Sequence, residues 1–304
     1  MCISWPIRHK RTTVKDTIQL ETGQPVEAFC EKTRLSYIES GTTGPTVVLL
    51  HGWSAFKELW WSTLLALAPH AHAYAPDLPG HGDSPLLGSA SMRQIAERIE
   101  QFCAARGGDR VVLVGHSMGG NIALELTLAR PDLVERLVLV DAAVQPADMP
   151  MYTRSYLDQT FGWAVLRTSM AAARQIGMVG RFVPHAHQGG VVLPALRRVT
   201  YMARHDADAL HTLLDSLFEN PIGPRLTDLR LPTLVISGEF DPLVPPPLSR
   251  RVAAAIPGAQ YAVIRRAAHN PMDERPREFN AILLEFLNIQ PKNNGETVSG
   301  NIIT

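Results

Sequence analysis

The sequence predicts an α/β domain with a mostly parallel central sheet, helices on both faces and an inserted helical lid. Three observations carry this expectation. The apolar runs TVVLLHG, HAYAPD, RVVLVG, RLVLVD, TLVISG and YAVIRR are short and mostly separated by helical segments, the pattern of parallel strands joined by crossover helices. The runs are followed at their C-terminal ends by Gly, Asp or His, which gathers polar groups beyond the carboxyl ends of the strands, where open α/β sheets bind ligands. From about Gln145 to Asp228 the alternation stops, and Met-rich and Arg-rich helical stretches replace it.

In chain order, a polar leader precedes TIQLETGQPVEAF and RLSYIES, which read as an opening antiparallel hairpin, half exposed by their alternation. The segment MGGNIALELTLAR carries Ile122, Leu124, Leu126 and Leu128 before Pro131 ends it, so it is expected to be a helix buried on more than one face. Within the interruption, Leu210, Leu213, Leu214, Leu217 and Phe218 fall at i, i+3, i+4, i+7 and i+8, an amphipathic helix whose stripe must cover something. Phe279, Ile282, Leu283, Phe286 and Leu287 repeat that spacing after Pro276 and are expected to close the core. The resulting division is 1–145 for the first part of the core, 146–228 for the lid, 229–288 for the second part and 289–304 for a flexible, polar tail.

At 304 residues and 45% hydrophobic content the chain can bury a sizeable core. Its 29 Lys and Arg balance 29 Asp and Glu, so no basic excess draws it to nucleic acid or anionic lipid, and a small neutral substrate fits better. No apolar run reaches signal-peptide or membrane-spanning length. Cys2, Cys30 and Cys103 are an odd number at unrelated spacings, against a disulfide framework or zinc site and in favour of a reducing, cytoplasmic location.

Chemistry concentrates at GHSMGG, residues 115–120, directly after RVVLV. Strand before and helix after make this G-x-S-x-G a nucleophile elbow, with Ser117 at the break and glycines where strand and helix approach too closely for a Cβ. A serine hydroxyl is a poor nucleophile at neutral pH and needs a base, and the base needs a carboxylate to fix its tautomer. Of the eleven histidines, His269 alone lies between the last strand and the closing helix. Asp241, in VISGEFDPLVP, completes the order serine, acid, histidine; Asp141, after LVLV, stays open as an alternative acid or as a hydrogen-bonded residue. The backbone N–H groups of Met118 and of Trp53, in HGW, are the candidate oxyanion donors.

The stretches LLHGW, PDLPGHGDS, GHSMGG, SGEFDPLVP and AAHNPMDERP together resemble the α/β-hydrolase superfamily over roughly residues 20 to 288. HGWSAFKELW is similar to the same stretch of monoacylglycerol-lipase-like members. The resemblance implies a cofactor-free, metal-free serine hydrolase cleaving esters with a hydrophobic acyl or alkyl portion. A serine at the elbow sets it apart from the branches that use an aspartate nucleophile.

The remaining motif residues have plainer readings. His51, Asp77, His81 and His116 are read as tying loops together, and His185 with His187 lacks a third ligand at zinc spacing. Trp53, Phe56, Trp60 and Trp61 are candidates for an acyl pocket or for packing, and Met149, Met151, Met170, Met178 and Met202 for a pliable lid wall or lid core. Two rival functions remain: hydrolysis of a carbon–carbon bond in dienone acids, and a non-catalytic binding or accessory role on the same fold.

Overall fold

The computed structural model describes residues 23–88, 90–151, 161–180, 204–289 and 302–303. The polar leader, His185, His187 and Met202 lie outside them.

The described strands form one sheet in the order β1 (Val26–Cys30), β2 (Leu35–Ser40), β4 (His72–Pro76), β3 (Thr46–Leu50), β5 (Val111–His116), β6 (Val134–Val140), β7 (Thr233–Gly238), β8 (Gln260–Ile264) and β9 (Ile302–Ile303). Pairing is parallel from β4 through β8, while β1 with β2, β2 with β4 and β8 with β9 run antiparallel. The expected hairpin is present, but β2 is buried along its whole length instead of half exposed. It is an interior strand between β1 and β4, and its polar Ser40 is satisfied by donating to the Leu64 carbonyl at 2.8 Å. β9 falls within the stretch expected to be a flexible tail and adds an antiparallel edge to β8.

Side-chain alternation splits the core into two layers. Val48, Leu50, Leu113, Leu137, Leu139 and Val235 face one side, and Val47, Leu49, Val112, Val114, Val138, Val140, Leu234 and Ile236 face the other. The first layer is covered by α2 (Met92–Ala105) and α3 (Met118–Ala129), through residues such as Ile95, Ile99, Phe102, Ile122 and Leu126. On the second side, α1 (Trp61–Leu67) contributes Leu64 and Leu67, and the closing helix, α8 (Pro276–Phe286), contributes Phe279, Ile282, Leu283 and Phe286. Every residue of α3 from Met118 to Thr127 is buried, which explains a helix with apolar residues all round.

Between β6 and β7 the described elements are a turn at Pro146–Asp148, α4 (Phe161–Gly180), α5 (Ala207–Phe218) and a turn at Gly223–Asp228. Asp206 caps α5 by accepting from the Ala209 N–H at 2.9 Å. The leucine stripe of α5 covers two surfaces: Leu213, Leu214 and Leu217 join the first core layer, and Leu210 meets Met170 of α4. The remaining helices, α6 (Pro246–Ala255) and the single turn α7 (Pro271–Glu274), follow β7 and β8.

Candidate active site

The turn from β5 into α3 puts Ser117 at φ 53°, ψ −118°, a backbone conformation an L-residue holds only when its surroundings impose it. Three glycines supply the imposition. A Cβ on Gly115 would stand 2.5 Å from the Gly119 carbonyl oxygen, one on Gly119 2.4 Å from that of His51, and one on Gly120 2.5 Å from the Ala142 side chain. The main chain of Ser117 is fixed as well: its N–H donates to Val140 at 3.0 Å, and its carbonyl accepts from Gly120 at 2.9 Å and Ala143 at 3.1 Å. Met118 opens α3, so its N–H is among those a helix leaves without an internal acceptor.

Asp241 sits in the turn after β7, where its Oδ1 accepts from the N–H groups of Leu243 at 2.7 Å and Val244 at 3.1 Å. Its Oδ2 meets His269 Nδ1 at 2.7 Å, closing a pair separated by 28 residues. Because a carboxylate only accepts, that contact places the proton on Nδ1 and leaves Nε2 as the basic nitrogen. Burial alone would raise the Asp241 pKa, but the neighbouring His269 and these donated N–H groups outweigh it and hold the carboxyl below its ordinary range.

Asp141, at the end of β6, lies next to this pair without replacing Asp241 in it. Both of its oxygens take the Gly238 N–H, at 3.1 and 3.2 Å. Full burial, and then the charge of Asp241, push its carboxyl well above the ordinary value, toward the neutral acid. Polar atoms of Asp141, Asp241 and His269 approach within 4.8 Å of one another, a spacing a cation could use. Two of the three groups are accounted for by the 2.7 Å bond of His269 to Asp241, and the upward push on the Asp141 carboxyl disfavours the ionised form that a cation would need.

The third component is the turn after β3. Leu78 N–H donates to His51 Nε2 at 2.9 Å, so that nitrogen is the acceptor and Nδ1 carries the proton, which goes to the Gly52 carbonyl at 2.8 Å. The carbonyl also accepts from Ala55 N–H at 3.2 Å. In a trans peptide the N–H of the next residue points the opposite way, so holding the Gly52 oxygen fixes the direction of the Trp53 N–H. The turn lies against the nucleophile: a Cβ on Gly52 would be 2.9 Å from Ser117 Cβ.

Behind this turn lies a buried polar network. Lys57 is fully buried, and its Nζ reaches Asp77 at 2.9 Å, Asp83 at 3.3 Å and Glu58 at 3.6 Å. Asp77 also accepts from the N–H groups of Lys57 at 2.9 Å and Asp83 at 3.2 Å. Burial would neutralise both partners; each other's charge overrides it, holding Asp77 well down and Lys57 up. Arg204, just before α5, joins Glu58 at 2.9 Å and also pairs with Asp83. His81 accepts from Ser54 N–H at 3.1 Å and His205 from Gly82 N–H at 3.0 Å. Lys57 lies in the HGWSAFKELW stretch that carries the resemblance, but nothing in that stretch names its acidic partners, and Arg204 stands in no motif.

The aromatic cluster divides. Phe56 and Trp60 are core residues of the second layer, whereas Trp53 packs on Met170 and Leu210 and donates from Nε1 to the Leu210 carbonyl at 2.7 Å. Met151 is 83% exposed and forms no wall. A cavity of about 300 Å³ opens beside the ends of β6 and β7, lined by Ala143, Val144, Gln145, Met149, Val244 and Arg251 among others. Two of its walls are the backbone donors to Ser117 and Asp241, namely Ala143 and Val244.

Comparison with known proteins identifies the fold family. A family model described as the alpha/beta hydrolase fold matches residues 45–276. The pimeloyl-acyl-carrier-protein methyl ester esterase of Nitrosospira multiformis is 28% identical over 258 residues, covering 82% of this chain and 97% of that protein. Among solved structures, a thermophilic esterase from Thermogutta terrifontis superposes with a TM-score of 0.65 at 26% identity, over 87% of this chain and 98% of that one. The enol-lactonase from Burkholderia xenovorans has a TM-score of 0.69 at 23% identity, covering 86% and 100%, a likeness of fold.

Proposed function

The chain belongs to the α/β hydrolase fold family, and on that premise we propose that it is a serine hydrolase of carboxylic esters with a hydrophobic acyl or alkyl portion. The observation that carries the reading is the strained Ser117 at the carboxyl edge of the sheet, with a preformed His269–Asp241 pair packed against the residue beside it. His269 Nε2 takes the hydroxyl proton as Ser117 attacks the ester carbonyl. Asp241 keeps the imidazole in the required tautomer and stabilises its cation. The N–H groups of Met118 and Trp53 receive the developing oxyanion, each worth about 3 kcal/mol in the transition state. The protonated His269 then releases the alcohol, and water, deprotonated by the same nitrogen, frees the acid from Ser117.

The surroundings support a substrate of this kind. Met170, Leu210 and Trp53 form an apolar group beside the oxyanion turn, and the similar esterase from Nitrosospira multiformis carries in its name a methyl ester of a protein-bound acyl chain. An extended acyl portion with a small alcohol suits both. We read the described elements between β6 and β7 as part of a lid beside this group, tied to the core through Trp53 Nε1 to Leu210 and Arg204 to Glu58. No helix of the described residues is long and apolar enough to cross a membrane.

The test is a panel of p-nitrophenyl and methyl esters of graded acyl length, with a dienone acid alongside. Ester turnover that depends on acyl length and vanishes in Ser117→Ala is expected. Cleavage of the dienone acid alone would move the reaction to carbon–carbon hydrolysis.

A further inference from the structure

His116, the residue between Gly115 and the nucleophile, is assigned no role by the chemistry above. It ends β5, is 2% exposed, and its Nε2 lies 2.6 Å from the main-chain carbonyl oxygen of His269, 153 residues away in sequence. The two imidazole rings stand 4.7 Å apart between centroids, at an interplanar angle of 53°. We propose that His116 is a positioning residue for the base: its Nε2–H tethers the His269 backbone, and its ring braces the His269 ring beside Ser117. The inference rests on the hydrolase reading given above.

The protonation state follows from the partners. A carbonyl oxygen only accepts, so the proton sits on Nε2. Among the described residues Nδ1 is buried without a hydrogen-bond partner, and it stands 3.0 Å from where a Gly52 Cβ would lie. A second proton there would bury a cationic N–H with no acceptor, so His116 stays neutral; burial and then the neighbouring His269 also hold its pKa well below the ordinary value. A neutral donor with one usable N–H is what a fixed main-chain tether requires.

The need for a tether lies in the loop between β8 and α7. Its earlier residues are fixed from outside: Arg266 N–H bonds Glu239 at 2.8 Å, the Ala267 carbonyl accepts from Phe240 at 2.8 Å, and Ala268 N–H bonds Glu274 at 2.6 Å. At His269 itself, Asp241 holds only Nδ1 of the ring. The ring hangs from the main chain through Cβ, so where that main chain moves the ring swings about its hydrogen bond. The second point, on the peptide carbonyl, removes the pivot and sets Nε2 relative to the serine that follows His116. The same imidazole abuts Gly52, so base loop, nucleophile strand and oxyanion turn share one contact.

The test compares His116→Leu, which removes the donor and ring, with His116→Gln, which keeps an amide N–H of similar reach. For a folded His116→Leu the expected result is kcat reduced about 10- to 100-fold with KM within roughly twofold, as for a misplaced catalytic group. His116→Gln should recover most of the lost kcat while having no imidazole. Equal losses in both variants, or a kcat in His116→Leu within roughly threefold of wild type, would overturn the tether, because misplacement costs more than that. Should His116→Leu not fold, NMR of the histidine-¹⁵N-labelled wild-type protein decides: an exchange-protected ring N–H, lost in His116→Gln, supports the tether, and a rapidly exchanging His116 Nε2–H refutes it. Wild-type protein without esterase turnover would count against the hydrolase reading, and the NMR measurement would still judge the tether on its own.

Discussion

Asp141 and Asp241 follow neighbouring parallel strands, both are buried, and their environments pull them apart. Asp241 is held ionised by His269 and two backbone N–H groups, while burial pushes Asp141 toward its neutral acid. The amide of asparagine resembles a neutral acid in shape and retains a donor, so Asp141→Asn should keep kcat within roughly tenfold, whereas Asp241→Asn should lower it by about four orders of magnitude by admitting the wrong imidazole tautomer. Steady-state kinetics on the two variants check this, and comparable losses would exchange the two roles. In the sequence the choice rested on Asp241 standing in a turn beyond a strand, and the 2.7 Å contact with His269 agrees with it. The upward shift of the Asp141 carboxyl was not legible there, because it arises from burial and from a charge 100 positions later in the chain.

At the level of elements, the turn after β3 is held by charges that a hydrophobicity pattern gives no reason to bury. Lys57 in the 3₁₀ turn at Lys57–Trp60 and Asp77 after β4 neutralise each other with no exposure on either side chain. Removing one partner leaves the other charged and unpaired, so Lys57→Met should destabilise the protein by about 3–5 kcal/mol. Urea unfolding measures it, and a loss under about 1 kcal/mol would mean that water or another cation replaces Lys57. The glycines of β5 and α3 make a second expectation. Gly119→Ala places a methyl group 2.4 Å from the His51 carbonyl oxygen, a main-chain atom, and should abolish recovery of folded protein or lower the unfolding free energy by about 3 kcal/mol. The glycine spacing was legible because close approach of strand and helix leaves a local mark. The Lys57–Asp77 pair was not, because its members lie 20 residues apart on different turns.

Over the whole molecule, three buried neutral histidines link the oxyanion turn, the PGHGDS loop and the entry to α5. His51 and His81 rings are 5.0 Å apart and those of His81 and His205 5.2 Å. Burial lowers His51 and His205 from 6.5 to about 4, and lowers His81 well below 6.5. With the folded pKa depressed, the unfolded chain binds more protons between these values, so each histidine's contribution to stability is intact above pH 6.5 and declines toward pH 4. The raised carboxyls of Asp141 and Glu58 act in the opposite sense, and comparing wild type with His205→Asn, which keeps an acceptor for Gly82 N–H, cancels them. Any stability advantage of wild type at pH 7.5 should shrink below pH 6.5 by up to about 1.4 kcal/mol per pH unit; a difference independent of pH would contradict the assignment of His205 as a neutral buried base. The parallel sheet, its two-sided core and the closing helix were legible at this scale, since Phe279, Ile282, Leu283 and Phe286 announce their buried face by spacing alone. The bonds joining distant loops, His116 to His269 and Arg204 to Glu58, leave no periodic trace. The central claim is that Ser117 is an activated nucleophile, and intact-protein mass spectrometry after treatment with a fluorophosphonate tests it most directly. Wild-type protein should gain one probe mass, mapped by peptide sequencing to Ser117, with none in Ser117→Ala and much slower labelling in His269→Ala. Folded wild-type protein that stays unlabelled, or that carries the probe on another residue, would contradict the account.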